Sequence, residues 1–308
     1  MHNFRILVPV SFSPQSDAAL KQARLLAGQI NAMITCLHVI EKAGKMTGKL
    51  VSREAERKIR RETEVQLSSR VHQIMDGNKD ASFELIITEG KAHRKILEKA
   101  VELNVRIIVM GRSDSAVSAR RQLGSNAKKV VSASPVPVLT LQTFRMAPCR
   151  HIAVPLDLTE RVTTKIVKSL EMAELLEAQV TVYTFVDRHD AALKQRSEER
   201  LKLISELFGD YEIYCNTVYL EAREALSEEI TAFARNIGAD LIVIMTREES
   251  NHTVMSVSST AMEVIRKSDI PVISITPGVI TGPYPFKTLF SDVNIPLVRS
   301  QGEHRIHH

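Results

Sequence analysis

The chain has 308 residues, 44% of them hydrophobic and 25% charged, with a formal charge of +5. That is the balance of an ordinary soluble globular protein, long enough for two cores of about 150 residues each. It excludes a membrane helix, since there is no apolar run of about 18 residues, and three scattered cysteines (Cys36, Cys149 and Cys215) exclude a disulfide framework or zinc cluster and read as small buried hydrophobes.

The N-terminus "MHNFRILVPV" enters a strand pattern with no leader segment, which points to the cytoplasm. "FRILVPV" (4–10) predicts a buried strand, and Ser13-Pro14 supplies an N-cap and a proline for the first helical turn. Leu20, Ala23, Ala27 and Ile30 then share one helical face. "AMITCLHVI" (32–40) predicts the second strand, followed by a long charged helix over about 49–76. Its Lys and Arg interleave with Glu, which reads as a solvated face with i,i+4 pairs. No aromatic side chains alternate with the bases to stack on nucleobases, so a nucleic-acid partner is not expected. "SFELIIT" (82–88) predicts the third strand, then a helix with Ile96, Ala100 and Leu103 inward. "VRIIVM" (105–110) and "VPVLTL" (136–141) predict strands four and five. Near-continuous apolar strands separated by helices mean a parallel sheet covered on both faces.

The second part repeats the order. "HIAVPLDL" (151–158) answers the first strand, with Pro155 where Pro9 stood, and "QVTVYTFV" (179–186) and "YEIYCNTVYL" (211–220) answer the second and third. Leu226, Ile230, Phe233 and Ile237 predict the inner face of the next helix. "DLIVIMTR" (240–247) and "SDIPVISI" (268–275) complete the set. A duplication of this period makes two globular domains, at 1–142 and 150–276, with a C-terminal extension over 277–308. Pro137 and Pro271 cannot donate to a ladder, so the fifth strands are expected at sheet edges. Apolar edges must be covered, and the two halves can cover each other antiparallel about a pseudo-twofold axis.

Between strands four and five lies "GRSDSAVSARRQLGSNAKKV" (111–130). A glycine ending a strand and a fresh helix N-terminus are what an anion requires, namely close backbone approach and unpaired N–H groups. Spacing alone favours plain turn chemistry. "ILVPVSFSPQSDAALKQARLLA" and "IIVMGRSDSAVSARRQLGSNAKKVVSASPVPVLTL" resemble the opening and closing segments of universal stress proteins. The resemblance spans about 3–142 and 150–276. It implies an α/β fold of two similar domains, each a five-stranded parallel sheet of order 3-2-1-4-5 with helices on both faces. It also implies dimerisation through the fifth strands, which leaves a homodimer open beside the intramolecular pseudo-dimer.

Nucleotide-binding members carry a loop of Gly, two residues, Gly, nine residues, Gly, then Ser or Thr. On this chain the pattern falls on Gly111, Asp114, Gly124 and Ser125, with the middle glycine replaced. The resemblance implies an adenine nucleotide such as ATP, contacted by Pro9, Val10, Ser11, Val39, Met110, Gly111, Arg112, Asp114, Gly124, Ser125 and Asn126. Arg112, Arg120 and Arg121 outweigh Asp114. A carboxylate about 6 Å from a phosphate charge costs roughly 1–3 kcal/mol at effective dielectrics of about 20 to 50, unless Mg²⁺ bridges the two. Ser11 stands where the family has an aspartate. In the second half the same alignment gives Thr246, Glu249, Ser259 and Thr260, with no glycine, and Glu248 and Glu249 repel phosphate. The second half therefore reads as a structural partner.

No "GxxxxGK[ST]", "GxSxG" or "HExxH" is present, so no catalysis is expected. His93 reads as a helix-start surface residue, and the terminal His304, His307 and His308 as a tail. A ligand-free scaffold and an ATP pyrophosphatase or adenylyl transferase are the alternatives to a nucleotide-binding regulatory module.

Overall fold

The computed structural model of the chain describes residues 4–41, 52–75, 82–112, 123–158, 162–186, 189–221, 225–247 and 258–276. Asp114, Arg120, Arg121 and the extension over 277–308 lie outside the described residues. The first half runs β1 (Phe4–Pro9), α1 (Pro14–Ile30), β2 (Ala32–Ile40), α2 (Arg53–Met75), β3 (Phe83–Glu89), α3 (Ala92–Glu102), β4 (Ile107–Gly111), α4 (Ser125–Ala133) and β5 (Val138–Leu141). The second runs β6 (His151–Leu156), α5 (Thr163–Leu176), β7 (Gln179–Val186), α6 (Ala191–Asp210), β8 (Cys215–Glu221), α7 (Leu226–Asn236), β9 (Leu241–Met245), α8 (Ser259–Lys267) and β10 (Val272–Ile275). Each half has the order 3-2-1-4-5 with parallel strands, and the halves join edge to edge into ten strands, β3-β2-β1-β4-β5-β10-β9-β6-β7-β8.

The joint is antiparallel, with Val272 opposite Thr140, Ile273 opposite Leu139 and Ser274 opposite Val138. Leu139 faces its own counterpart, so the pseudo-twofold axis passes through that pair. The side chains obey the same symmetry: Thr140 Oγ1 donates to the Val272 carbonyl and Ser274 Oγ to the Val138 carbonyl, each at 3.2 Å. β5 and β10 are edges of their own halves but central in the complete sheet. Pro137 and Pro271 are tolerated because each lies one residue before the paired span, where its carbonyl accepts from Ile108 N and Ile242 N, both at 3.0 Å.

Alternation along the strands divides the interior into two layers that each cross the joint. Ile6, Val8, Cys36, Leu139, Val154 and Ile273 meet α1, α2, α5 and α6 on one face. Leu7, Leu37, Ile108, Val138, Ile242 and Val272 meet α3, α4, α7 and α8 on the other. The helices carry the predicted apolar stripes, with one correction. Leu226 is 41% exposed, and the inward positions of α7 are Ile230 and Ala234, with Phe233 half-buried. Leu226 sits in the first turn, where the helix has not yet reached the sheet.

Polar side chains fasten the halves by capping each other's helix ends. Arg112, only 3% exposed, donates to the carbonyls of Ile265 and Ser268 at the C-terminus of α8. Arg247 donates reciprocally to the Ser132 carbonyl in the last turn of α4 at 2.8 Å. On the opposite face Gln29 of α1 donates to the Leu176 carbonyl that ends α5, at 2.7 Å. Cations at helix C-termini meet orphan carbonyls and the negative end of the dipole together. Arg112→Ala should therefore strip two buried carbonyls of their donor and cost about 2–4 kcal/mol. Urea unfolding should still show one transition, at a lower midpoint. Two separated transitions in the wild type would mean that the halves do not share a core.

Candidate functional site

The crevice of an open parallel sheet lies at the strand C-termini where the order reverses, here between β1 and β4. Gly111 closes β4 at that point. A Cβ on it would stand 2.1 Å from the carbonyl oxygen of Gln15 and 2.8 Å from Gln15 Cβ. The glycine is thus required by the first turn of α1, which sits on the strand end. Ser13 opens that turn, its hydroxyl accepting from Ser16 N at 3.2 Å.

Of the predicted contacts, the structure gathers Pro9, Val39 and Met110 on one face. Met110 belongs to the α3/α4 layer, Val39 packs against it, and strand alternation puts Pro9 beside Leu7. Val10 turns the other way and is buried with Ile6 and Val8. Its carbonyl accepts from His38 Nδ1 at 2.8 Å, which fixes the proton on that nitrogen. Arg112 is also not at the crevice, because its guanidinium caps α8. Ser11 is exposed and bonds the Ser13 hydroxyl at 3.1 Å.

Between Ser11 and Ser13, Phe12 has φ 59°, a conformation uncommon for a bulky residue. His38 holds it there, with ring centroids 4.7 Å apart. His38 thus braces the Val10–Phe12 turn from both sides. Nothing in the sequence pattern singled out Gln15, Phe12 or His38.

Gly124 is the N-cap of α4, with no side-chain cap hydrogen bond, and Ser125 and Asn126 begin the helix with no acidic residue in its first turn. Among the described residues the first N–H groups of α4 therefore have neither an intrahelical nor a side-chain cap acceptor, which leaves a positive helix end suited to an anion. α8 contrasts with it. Its N-cap Ser258 accepts from Ala261 N at 3.4 Å.

Strand pairing also corrects the alignment of the second half. Ile108 pairs with Val138 as Ile242 pairs with Val272, so Met245 is the counterpart of Gly111 and Thr246 of Arg112. The pattern positions move by one, to Met245, Glu248, Ser258 and Ser259. "VRIIVMGR" and "DLIVIMTR" look superposable through their shared Met and Arg, but hydrogen-bond register shifts them. The second crevice carries different side chains. Phe185 stands at the Val39 position and meets Tyr183, ring centroids 5.9 Å apart. Burial pushes the Tyr183 phenol well above its ordinary range, so its hydroxyl stays protonated and donates to the Ile230 carbonyl at 3.0 Å. α1 opens five residues after Pro9, whereas α5 opens eight after Pro155. The position aligned with Gln15 lies outside the described residues, and Met245 stands in the place of Gly111.

A duplicated α/β unit, with a glycine-ended fourth strand and an uncapped helix at the switch point of its first copy, defines the class. The model of the universal stress protein family matches residues 2–142 and 148–275, and the chain belongs to that family. Among solved structures it is similar to a universal stress protein from Archaeoglobus fulgidus DSM 4304, at 18% identity and a TM-score of 0.67, covering 89% of this chain and 96% of that one. A functionally unknown protein from Pseudomonas aeruginosa PAO1 aligns at 17% identity and a TM-score of 0.62, covering 89% and 92%. No curated protein matches the chain.

Gly111→Ala should destabilise the first half by about 1–3 kcal/mol, because the obstructing atoms are backbone and cannot rotate away. Thermal unfolding checks this, and a second change of Gln15→Gly should leave most of the loss in place.

Proposed function

We propose that the protein is a stress-response regulatory module that binds an adenine nucleotide, ATP being the first candidate, in its first half only. The second half acts as its structural partner. The observation that carries the reading is the difference between two equivalent helix ends. Gly124 leaves the N–H groups of α4 without a side-chain acceptor, while Ser258 caps α8. Pro9, Val39 and Met110 offer an apolar seat to a base, and Phe185 fills the equivalent place in the second half. Ser11 is left to contact the sugar with a neutral hydroxyl. Magnesium would supply charge between the phosphates and Asp114. Gly124, Ser125 and Asn126 would hold phosphate oxygens through backbone N–H groups.

The role proposed is regulatory. The imidazole of His38 is engaged through Nδ1 with the Val10 carbonyl. No helix of the described residues is long and apolar enough to cross a membrane.

Calorimetric titration of ATP with Mg²⁺ tests the assignment. Gly124→Asp puts a carboxylate on the anion seat, yet aspartate is a good N-cap, so the fold should hold while binding disappears. Ser258→Asp makes the same change at an already capped end and should leave the affinity within about twofold. Loss through Ser258→Asp with retention through Gly124→Asp would place the site in the second half. A phosphate-release assay on the same sample should find turnover well below about 1 s⁻¹, the low end of ordinary enzymes.

A further inference from the structure

The two halves differ in charge far more than in fold. Residues 1–142 hold 23 Lys and Arg against 13 Asp and Glu, a formal charge of +10. Residues 143–308 hold 18 against 23, a charge of −5. The mild total of +5 conceals a bipolar molecule.

In the first half exposed cations stand at the strand C-termini, where α2, α3 and α4 begin. The buried side of α2 is Leu67, Val71, Ile74 and Met75, all in its second part. Before Leu67 the helix runs on for about 20 Å without an apolar face. Arg53, Arg57, Arg60 and Arg61 recur there at i, i+4, i+7 and i+8, so they form one exposed stripe. The pairing expected from the sequence is sparse. Lys58 meets Glu62 at 3.9 Å, but none of the four arginines forms an ion pair among the described residues, although Glu54, Glu56 and Glu64 share the helix. Arg53 and Arg57, like Arg57 and Arg61, are instead like charges one turn apart, an arrangement unfavourable by a few tenths of a kcal/mol.

The neighbouring helices add exposed cations. Lys91 is the N-cap of α3 and Arg94 is exposed in its first turn; that turn has no acid of its own, but Glu41, just after β2, accepts from Ala92 N at 3.0 Å. α4 likewise has no acid in its first turn, and Lys128 and Lys129 stand exposed. Cations at helix N-termini oppose the dipole, whereas α2 begins with Glu54 and Glu56 and α7 with Glu228 and Glu229, as the dipole favours. What these exposed cations share is that a polyanion would meet them all with opposite charge.

We propose that this strand-end face of the first half binds a nucleic-acid duplex through its phosphates, without reading sequence. Single strands are held largely by stacking on aromatic side chains, and none alternates with these cations. A duplex needs only phosphate contacts along a basic stripe. The acidic second half is repelled and stays away from the duplex, so the molecule docks by one end. The proposal does not depend on nucleotide binding at the crevice.

Fluorescence anisotropy with a labelled mixed-sequence 20-bp DNA duplex, from about 50 to 200 mM NaCl, tests it. Five or so phosphate contacts should give a log–log salt slope near −4.5 and an affinity that falls by several hundred-fold over that range. Arg57→Ala with Arg61→Ala should flatten the slope by about two. Both side chains are exposed, so the fold should be unchanged by circular dichroism. Arg196→Ala with Lys202→Ala in the acidic half should change nothing. Absence of binding at 50 mM, or an unchanged slope in the double variant, would overturn the proposal. So would equal competition by a poly-glutamate peptide, which would make the face a seat for acidic proteins.

Discussion

The hydrogen-bonded contact between β5 and β10 governs the rest of the molecule. Each strand is short, apolar and at the edge of its own half, and such an edge exposed to water would recruit other chains. Pairing the two removes both edges, leaving only β3 and β8 at the rims. Because the contact is antiparallel, the strands of the two halves point in opposite directions. Their C-terminal ends, and hence their crevices, open on opposite sides of one sheet. The two crevices share no residue, so one can change without disturbing the other.

The same joint explains the arginines. A strand pair of three residue couples is a small interface by itself, and the interior layers that cross it are apolar and non-directional. Arg112 and Arg247 add direction, since each can satisfy helix-end carbonyls only when the other half is in register. A guanidinium suits this task because it stays charged and presents several donors in a fixed fork. Arg112 lies directly after Gly111, and on sequence position alone it looked available to phosphate. The backbone geometry at the strand end aims it across the joint instead.

Most of the architecture was legible in the chain because it rests on periodicity. Strand-length apolar runs, the Ser13-Pro14 helix start and the internal duplication each carry a local signature, and the structure follows them. The edge character of β5 and β10 was legible from Pro137 and Pro271 for a similar reason, since a missing N–H is a property of the residue. What depends on three-dimensional register was not legible. The one-residue offset between Gly111 and Thr246 is set by which backbone groups pair, and no residue type records it. The aim of Val10 and Arg112 away from the crevice, and the brace of Phe12 by His38, arise where loops leave the sheet and periodicity stops. The charge of α2 was legible, but its pairing was not: Arg60 is spaced i,i+4 from both Glu56 and Glu64 yet forms no ion pair among the described residues, while Lys58 meets Glu62.

The two halves show what a free helix end costs and what removing it achieves. An N-cap side chain stabilises a helix by about 1 kcal/mol over one that offers nothing, and by only a few tenths over glycine. Ser258 takes that gain, and Phe185 and Met245 stand where the first half has Val39 and Gly111. Gly124 forgoes the side-chain bond, and Gly111 lets α1 begin a turn earlier and close over the strand end. Both choices keep backbone donors near the surface and side chains out of their way. Since the halves share a core, the second half can support the strain of Phe12 and the open end of α4 in the first. On the proposed reading, duplication followed by unequal change is a physical division of labour, in which one copy supports the fold and the other keeps a polar surface unsatisfied.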